Sequence, residues 1–268
     1  MRKLLLNLWF WPVFVVVTAV ALLLVPTLCV GNAVTFRFPV GRGVRIGVRL
    51  YGWLLIRSLQ WAIPVTLVDR SGGLFPPVVF VANHSSSVDP YLFGMLPLEM
   101  AFVTSWPFRI PVYKWIMGLA GYLNTADGWE RLAEEGARLL ATGCSLIVWP
   151  EGHRSRDGRL RRFRNGAFRL AVQAGCPVVP VCICGTDRFL PPGHRTPSPA
   201  AVRMTVLPAI AVSDDGGNEK EAVRILRDRA YAAIRAEWVA QMGESVPVAM
   251  SPSESRRGRP VVEVGNRG

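Results

Sequence analysis

Lysine is nearly absent from this sequence. Only Lys3, Lys114 and Lys220 occur, so arginine carries almost all of a formal net charge of +12. An excess of that sign points to anionic partners, such as a phospholipid surface or a phosphorylated or CoA-bearing substrate. No nucleic acid is expected among them, because no helix-turn-helix, zinc-finger or aromatic RNA-binding pattern accompanies the charge. Cysteine is sparse and odd in number (Cys29, Cys144, Cys176, Cys182 and Cys184), with no CxxC pair. This argues against a disulfide framework or a zinc ribbon and reads as reduced core thiols facing a cytosol. Histidine is limited to His84, His153 and His194. Helix-spaced histidine pairs and carboxylate clusters are missing, so no metal is expected. A G-x-S-x-G elbow is missing too, which leaves Ser85, Ser86 and Ser87 as turn and cap residues rather than nucleophiles.

Apolar residues, by contrast, are abundant: 50% of the chain, with a mean hydropathy of +0.27. Much of the excess lies in an uncharged stretch from Leu4 to Phe36, longer than the roughly 20 residues that cross a bilayer. It has no A-x-A-like cleavage site, and Leu28 before Cys29 does not suit a lipoprotein. Pro12 and Pro26 leave a re-entrant or interfacial hairpin as an alternative to a clean span. Arg37, Arg42, Arg45 and Arg49 outnumber the basic residues before the stretch, which by the positive-inside bias places the bulk of the chain on the cytoplasmic side of the inner membrane. Val44 to Ile63 reads as a second helix; its arginines, Trp53 and Trp61 suit a membrane interface, and an ordinary packed domain helix is the alternative.

Residues 1–63 are therefore expected to span or dock on a phospholipid membrane. From Pro64 an α/β rhythm sets in. Strands are expected at Val65–Asp69, Val78–Ala82, Ala101–Thr104, Tyr122–Thr125, Ser145–Trp149, Val178–Cys184 and Val202–Pro208, with helices beginning near Asp89, Pro111, Trp129 and Asn165. Near-continuous apolar strands alternating with helices predict an α/β fold with a mixed, largely parallel sheet covered by helices. The domain, residues 64–242, closes with a charged helix from Asn218 to about Gln241, in which Asn218 and Glu221 have capping-box spacing. Residues 243–268, rich in Pro, Ser, Gly and Arg, read as a flexible tail.

Two stretches carry chemistry. The first, Asn83-His84-Ser85-Ser86-Ser87-Val88-Asp89, follows an apolar strand and ends at Pro90. Asp89 or Ser87 suits a helix start, and through a turn the Asp89 carboxylate can fold back on the imidazole and fix its tautomer, as in a general base. Locally, a capped helix start with an incidental histidine is an equal reading. The second, Trp149-Pro150-Glu151-Gly152-His153-Arg154-Ser155, follows another strand, where open α/β sheets present ligand-binding groups; a turn closed by a Glu–Arg pair is the alternative. It leads into a loop with arginines at 154, 156, 159, 161, 162 and 164 and Asp157 as the only acid, a composition suited to phosphate oxygens.

Asn-His-x4-Asp, then Pro-Glu-Gly-x-Arg-Ser, Phe163-Arg164-x-Gly-Ala-Phe and Val179-Pro180-Val181, in this order over residues 65 to 215, resemble the glycerophosphate and lysophospholipid acyltransferase family. The resemblance implies transfer of a fatty acyl group from acyl-CoA or acyl-carrier protein to the free hydroxyl of a lysophospholipid, with no cofactor. It implies that His84 is the base and Asp89 its partner. Substrate binding falls to Asn83, Glu151, Gly152, Arg154, Ser155 and Arg164, with Pro180 shaping the site. Amides at the start of the helix after Asp89 would stabilise the oxyanion. Trp149 and His153 stand where the family usually has Phe and Thr. In the family's Gly-x5-Arg motif, the matching stretch from Gly121 ends at Asp127, so an acid replaces the arginine expected on the acceptor phosphate, with Arg131 or Arg109 as substitutes or a different acceptor in play. A metal hydrolase using His84, Asp89, Glu151 and His153, and a non-enzymatic membrane adaptor, are the rival readings.

Overall fold

The computed structural model describes residues 1–35, 39–156, 158–212 and 218–242. Phe36, Arg37, Asp157 and the expected tail at 243–268 lie outside the described residues. The chain opens with α1 (Arg2–Thr35), one continuous helix with Pro12 and Pro26 inside it. Within α1, Arg2–Asn32 is long and apolar enough to cross a membrane. Leu8, Val16 and Leu23 face outward, whereas Leu6 and Phe10 are buried against the domain, with the Phe10 ring edge-on to Phe189.

Helix α2 (Val40–Leu59) starts directly after Pro39 and ends four residues before the expected boundary, with Gln60 to Ile63 forming the turn that follows. Two glycines let it touch the domain backbone to backbone. A Cβ at Gly52 would lie 3.0 Å from the Tyr91 carbonyl, and one at Gly94 would fall on the Trp53 nitrogen and within 2.7 Å of the Arg49 carbonyl. Arg45, expected among the interfacial arginines, is instead buried. It donates to Glu99 at 2.9 and 2.7 Å and to the Ala120 carbonyl at 2.6 Å, tying α2 to the domain. Burial without these acceptors would leave an uncompensated charge, so the inward turn and the ion pair require each other.

The domain then runs β1 (Val65–Asp69), β2 (Val79–Ala82), α3 (Asp89–Leu92), β3 (Met100–Thr104), α4 (Pro111–Ala120), β4 (Leu123–Asn124), α5 (Trp129–Ala141), β5 (Ser145–Val148), α6 (Gly166–Ala174), β6 (Val178–Cys184), α7 (Thr186–Phe189), β7 (Val202–Val206) and α8 (Glu219–Met242). The strands form one sheet in the order β1-β7-β6-β2-β5-β3-β4. Every neighbouring pair is parallel except β6 and β7. The mixed, largely parallel α/β sheet expected from the sequence is thus present. Alternate residues of β2 feed two cores: Val79 and Val81 face one lined by α4, α5, α6 and α8, and Phe80 and Ala82 face one shared with α1, α2 and α3. Both faces of the sheet are covered, which is why these strands read as unbroken apolar runs.

β4 is shorter than expected, with only Leu123 and Asn124 pairing to β3. At the start of α8 the Glu221 amide donates to Asn218 Oδ1 at 3.3 Å, but the Glu221 carboxylate binds Arg224 instead of returning to Asn218, so only half of the capping box forms.

Candidate active site

β2 lies between β5 and β6, so the residues leaving its carboxyl end sit between the ends of two parallel neighbours. Asn83 leaves first. Its amide donates to the Ile183 carbonyl and accepts from the Ile183 N–H, both at 2.7 Å, with the side chain buried. The backbone of His84 is gripped on both sides by the turn after β5. Its N–H donates to Glu151 Oε1 and its carbonyl accepts the Ser155 N–H, each at 2.8 Å.

With its backbone fixed, the His84 ring is set by two further contacts. Nδ1 lies 2.7 Å from Asp89 Oδ2, and the ring stacks on Trp149 at 4.9 Å between centroids. The His84 side chain is 18% exposed and that of Asp89 0%, so solvent reaches the base but not its partner. Asp89 does not cap a following helix by its side chain; the cap position of α3 is Val88, which makes no side-chain hydrogen bond. The carboxylate turns back, and Oδ2 also accepts the N–H groups of Ser85 and Ser86 at 2.8 Å each. A carboxylate facing Nδ1 places the proton there and leaves Nε2 as the basic nitrogen.

The turn's own amides are largely occupied. Those of Ser85 and Ser86 bind Asp89, and those of Asp89 and Tyr91 bind the carbonyls of Ser86 and Val88. Pro90 has no N–H. The expected oxyanion contact from the start of α3 therefore finds no free amide at these positions. Ser86 is fully buried and donates its hydroxyl to the Leu190 carbonyl at 2.6 Å, a framing role rather than a nucleophilic one.

Glu151 is 5% exposed. Its second oxygen accepts the Arg161 N–H at 3.1 Å, so one carboxyl ties the exit of β2 to the middle of the arginine loop. Burial raises its pKa from 4.5 to about 8, against the opposing pull of the His84 and Arg161 amides. Ser155 is buried and closes the loop through Arg159, donating to its carbonyl at 2.8 Å and accepting from its N–H at 3.1 Å. Asn83, Glu151 and Ser155 thus frame the site through main-chain contacts. Pro180 lies buried within β6, opposite Val81.

Of the other expected substrate-binding residues, Gly152 and Arg164 are exposed and Arg154 is half-buried. Gly152 has φ +77°, and a Cβ there would lie 2.9 Å from Arg164 Cζ, so the glycine is what lets the guanidinium lie across the turn. The stacked rings of Phe163 and Phe168 anchor the end of the loop beneath it. The site residue that sequence reasoning passed over is Trp149, seen only as a replacement for phenylalanine. It stacks on both His84 and Phe102, the latter at 5.6 Å. Its place at the end of the apolar run of β5, directly before Pro150 and Glu151, was the available signal.

Asp127 follows β4 at the far end of the same sheet edge. Its Oδ1 accepts from Asn124 at 2.8 Å and its Oδ2 lies 3.9 Å from Arg131, which donates to Glu135 at 2.9 Å. Among the described residues, no group of three or more His, Cys, Asp and Glu side chains could hold a metal ion.

Comparison with known proteins agrees with this geometry. Residues 74–184 match the family model described as Acyltransferase. A 1-acyl-sn-glycerol-3-phosphate acyltransferase of Chlamydomonas reinhardtii is 33% identical over 60% of this chain and 51% of its own length. The alpha form of that enzyme from Ovis aries is 28% identical over 66% of this chain and 64% of its own. The chain thus spans about half the length of the algal relative, and 36% of the chloroplastic one from Brassica napus. The crystal structure of the 1-acyl-sn-glycerophosphate acyltransferase PlsC from Thermotoga maritima superposes with a TM-score of 0.66 at 25% identity, covering 89% of this chain and 99% of that one. By its ordered motifs, its sheet and these matches, the chain is similar to the 1-acyl-sn-glycerol-3-phosphate acyltransferases, with residues 74–184 carrying the Acyltransferase match.

Proposed function

We propose that this protein is a membrane-associated O-acyltransferase that moves a fatty acyl group from a thioester, acyl-CoA or acyl-carrier protein, to the free hydroxyl of a lysophosphatidate-like lysophospholipid. The observation that carries the reading is the His84 Nδ1 to Asp89 Oδ2 contact of 2.7 Å, with the imidazole stacked and partly open at the end of β2. In the proposed reaction, Nε2 takes the proton of the acceptor hydroxyl as its oxygen bonds to the thioester carbonyl carbon. The Asp89 carboxylate stabilises the imidazolium. When the tetrahedral intermediate collapses, the C–S bond breaks and the proton passes from Nε2 to the departing sulfur. A thioester is already activated, so no acyl-enzyme is needed. Arg154 and Arg164 are assigned to the acceptor phosphate, where a planar guanidinium binds two oxygens at once. The apolar α1 and the arginines that follow it support anchoring at the cytoplasmic membrane with the domain on the cytoplasmic side.

One residue leaves a second acceptor open. With Asp127 in place of an arginine, one cation that could hold a phosphate is missing from this sheet edge, so a different lysolipid such as a lyso-aminolipid is the alternative acceptor. The test supplies purified protein in phospholipid vesicles with acyl-CoA or acyl-carrier protein and a panel of lysolipids, reading thiol release and the acylated product by mass spectrometry. Lysophosphatidate acylation that disappears in His84→Ala is the expected result. Preferential use of a lyso-aminolipid would select the second acceptor, and no turnover with any pair would overturn the reading.

A further inference from the structure

Helix α4 has the wrong outer face for a helix in water. Its buried side is apolar, as packing requires, with Ile116, Met117 and Ala120 in the core. Its exposed positions are Pro111, Val112, Lys114, Trp115 and Gly118, so the outward side carries a single charge. Val112 is 50% and Trp115 47% exposed, and Trp106 in the turn before the helix is 63% exposed. A surface helix ordinarily turns charged and polar residues to solvent, and α5 obeys that rule with Glu130, Arg131, Glu134 and Arg138 on its exposed side. The contrast is therefore specific to α4. Contiguous exposed tryptophan and aliphatic surface on a monomer marks a contact face.

Three observations identify what the face contacts. The first is charge: no acid occurs between Glu99 and Asp127, and the exposed ionisable groups of the turn and helix are Arg109 and Lys114. Tryptophan flanked by basic residues is the composition of a surface that rests at the level of lipid headgroups. The second is position. α4 packs along α2, with Gly41 against the carbonyls of Leu119 and Ala120, and α2 turns its own row of Ile46, Leu50, Trp53 and Leu54 outward. The third is topology. β3 runs parallel to β5 and β5 to β2, so the turn leaving β3 at Trp106 opens on the same sheet edge as Trp149 and His84.

We propose that Trp106 to Trp115, the turn and first half of α4, form a second membrane-contacting surface that rests on an anionic phospholipid bilayer and holds the catalytic edge of the sheet against it. This rests on the reading of the protein as membrane-associated, and adds a contact outside the N-terminal helices. An amphiphilic acceptor could then pass from the lipid surface to His84 without crossing water.

The test places an environment-sensitive fluorophore on single cysteines in the full-length Cys29→Ser protein, where the remaining thiols are buried. Val112→Cys reports α4, Val16→Cys reports α1, and Glu134→Cys on α5 is the water-facing control. In vesicles of phosphatidylglycerol and phosphatidylethanolamine, the expected result is blue-shifted emission and quenching by doxyl-labelled lipid at positions 112 and 16, and neither at 134. A quenched probe at 16 with a water-like probe at 112 would overturn the proposal and leave membrane association standing. Water-like probes at both would overturn membrane association itself. Equal quenching at 112 in pure phosphatidylcholine would overturn the assignment to anionic lipid. Shielding at 112 that follows protein concentration without lipid would assign the face to a second copy of the chain.

Discussion

Replacing Asp89 with asparagine separates the two services that this carboxylate can render, fixing the tautomer of His84 and stabilising its positive charge. The outcome follows from which oxygen is held. Oδ2 accepts the N–H groups of Ser85 and Ser86 at 2.8 Å each, and an amide nitrogen cannot accept either bond. The asparagine carbonyl must therefore occupy the Oδ2 position, where it still receives the proton on Nδ1. The tautomer is preserved and only the charge is lost. A hydrogen bond to a charged group contributes about 1.5–3 kcal/mol, so acyl transfer should fall roughly 10- to 150-fold. Removing the base in His84→Ala costs on the order of 10²- to 10⁴-fold. The amide nitrogen would fall at Oδ1, which is buried without a partner, at a stability cost of about 1–3 kcal/mol. Thiol release under saturating lysophosphatidate gives the rate, and urea melts give the stability. A folded Asp89→Asn protein slowed by about 10⁴-fold would refute the held orientation, because that is the cost of a wrong-tautomer histidine. An unchanged rate would refute any coupling to His84.

Three further outcomes are expected. The Glu151 carboxyl titrates near 8 in the fold and near 4.5 when unfolded, so between those values the unfolded chain releases a proton that the folded one keeps. Its contribution is whole below pH 4.5 and is lost as pH rises through about 8, by up to about 1.4 kcal/mol per pH unit; urea melts of Glu151→Gln across this window should show a shallower decline, and parallel curves would contradict it. Gly152→Ala puts a Cβ 2.9 Å from Arg164 Cζ at a φ of +77°. It should cost about 1–2 kcal/mol in stability and raise KM for a phosphate-bearing acceptor more than it lowers kcat; an unmoved KM would remove Arg164 from the acceptor. Asn83→Ala leaves both main-chain groups of Ile183 without their partner and should lower stability by roughly 2–4 kcal/mol in denaturant melts, a loss that an exposed substrate ligand would not produce.

What was legible in the sequence was local. His84 and Asp89 are five residues apart, and their contact depends on one turn that Pro90 and the preceding strand delimit. The unbroken apolar runs of β2, β5 and β6 revealed a sheet buried on both faces. Strand order was hidden by the same runs, since parallel buried strands look alike. The contacts of Asn83 with Ile183, and of His84 with Glu151 and Ser155, depend on that order, which sets β5 and β6 on either side of β2. Residues that frame the site and residues that line it are equally polar in sequence, and only burial separates Glu151 from Arg154. Arg45 was misplaced for a related reason: its acceptors, Glu99 and the Ala120 carbonyl, are distant in sequence, so it resembled the other arginines of α2.

The same strand order changes the meaning of Asp127. In sequence it looks like a reversed charge at the acceptor phosphate, which would repel a phosphorylated substrate. In the sheet, β4 is separated from β2 by β5 and β3, three strand spacings or roughly 14 Å. A hydroxyl poised at His84 sits beside the exit of β5, where Gly152, Arg154 and Arg164 lie. The Asp127 carboxylate is short and is held by Asn124 and Arg131 on the outer strand. Arg131 is in turn occupied by Glu135 and Asp127, which makes it a poor substitute for the missing arginine, whereas Arg109 is exposed at the nearer exit of β3. The substitution thus withdraws a distant cation without placing an anion on the phosphate. A phosphate-bearing acceptor remains electrostatically acceptable, and under the proposed function holding it falls to the arginines that follow β5.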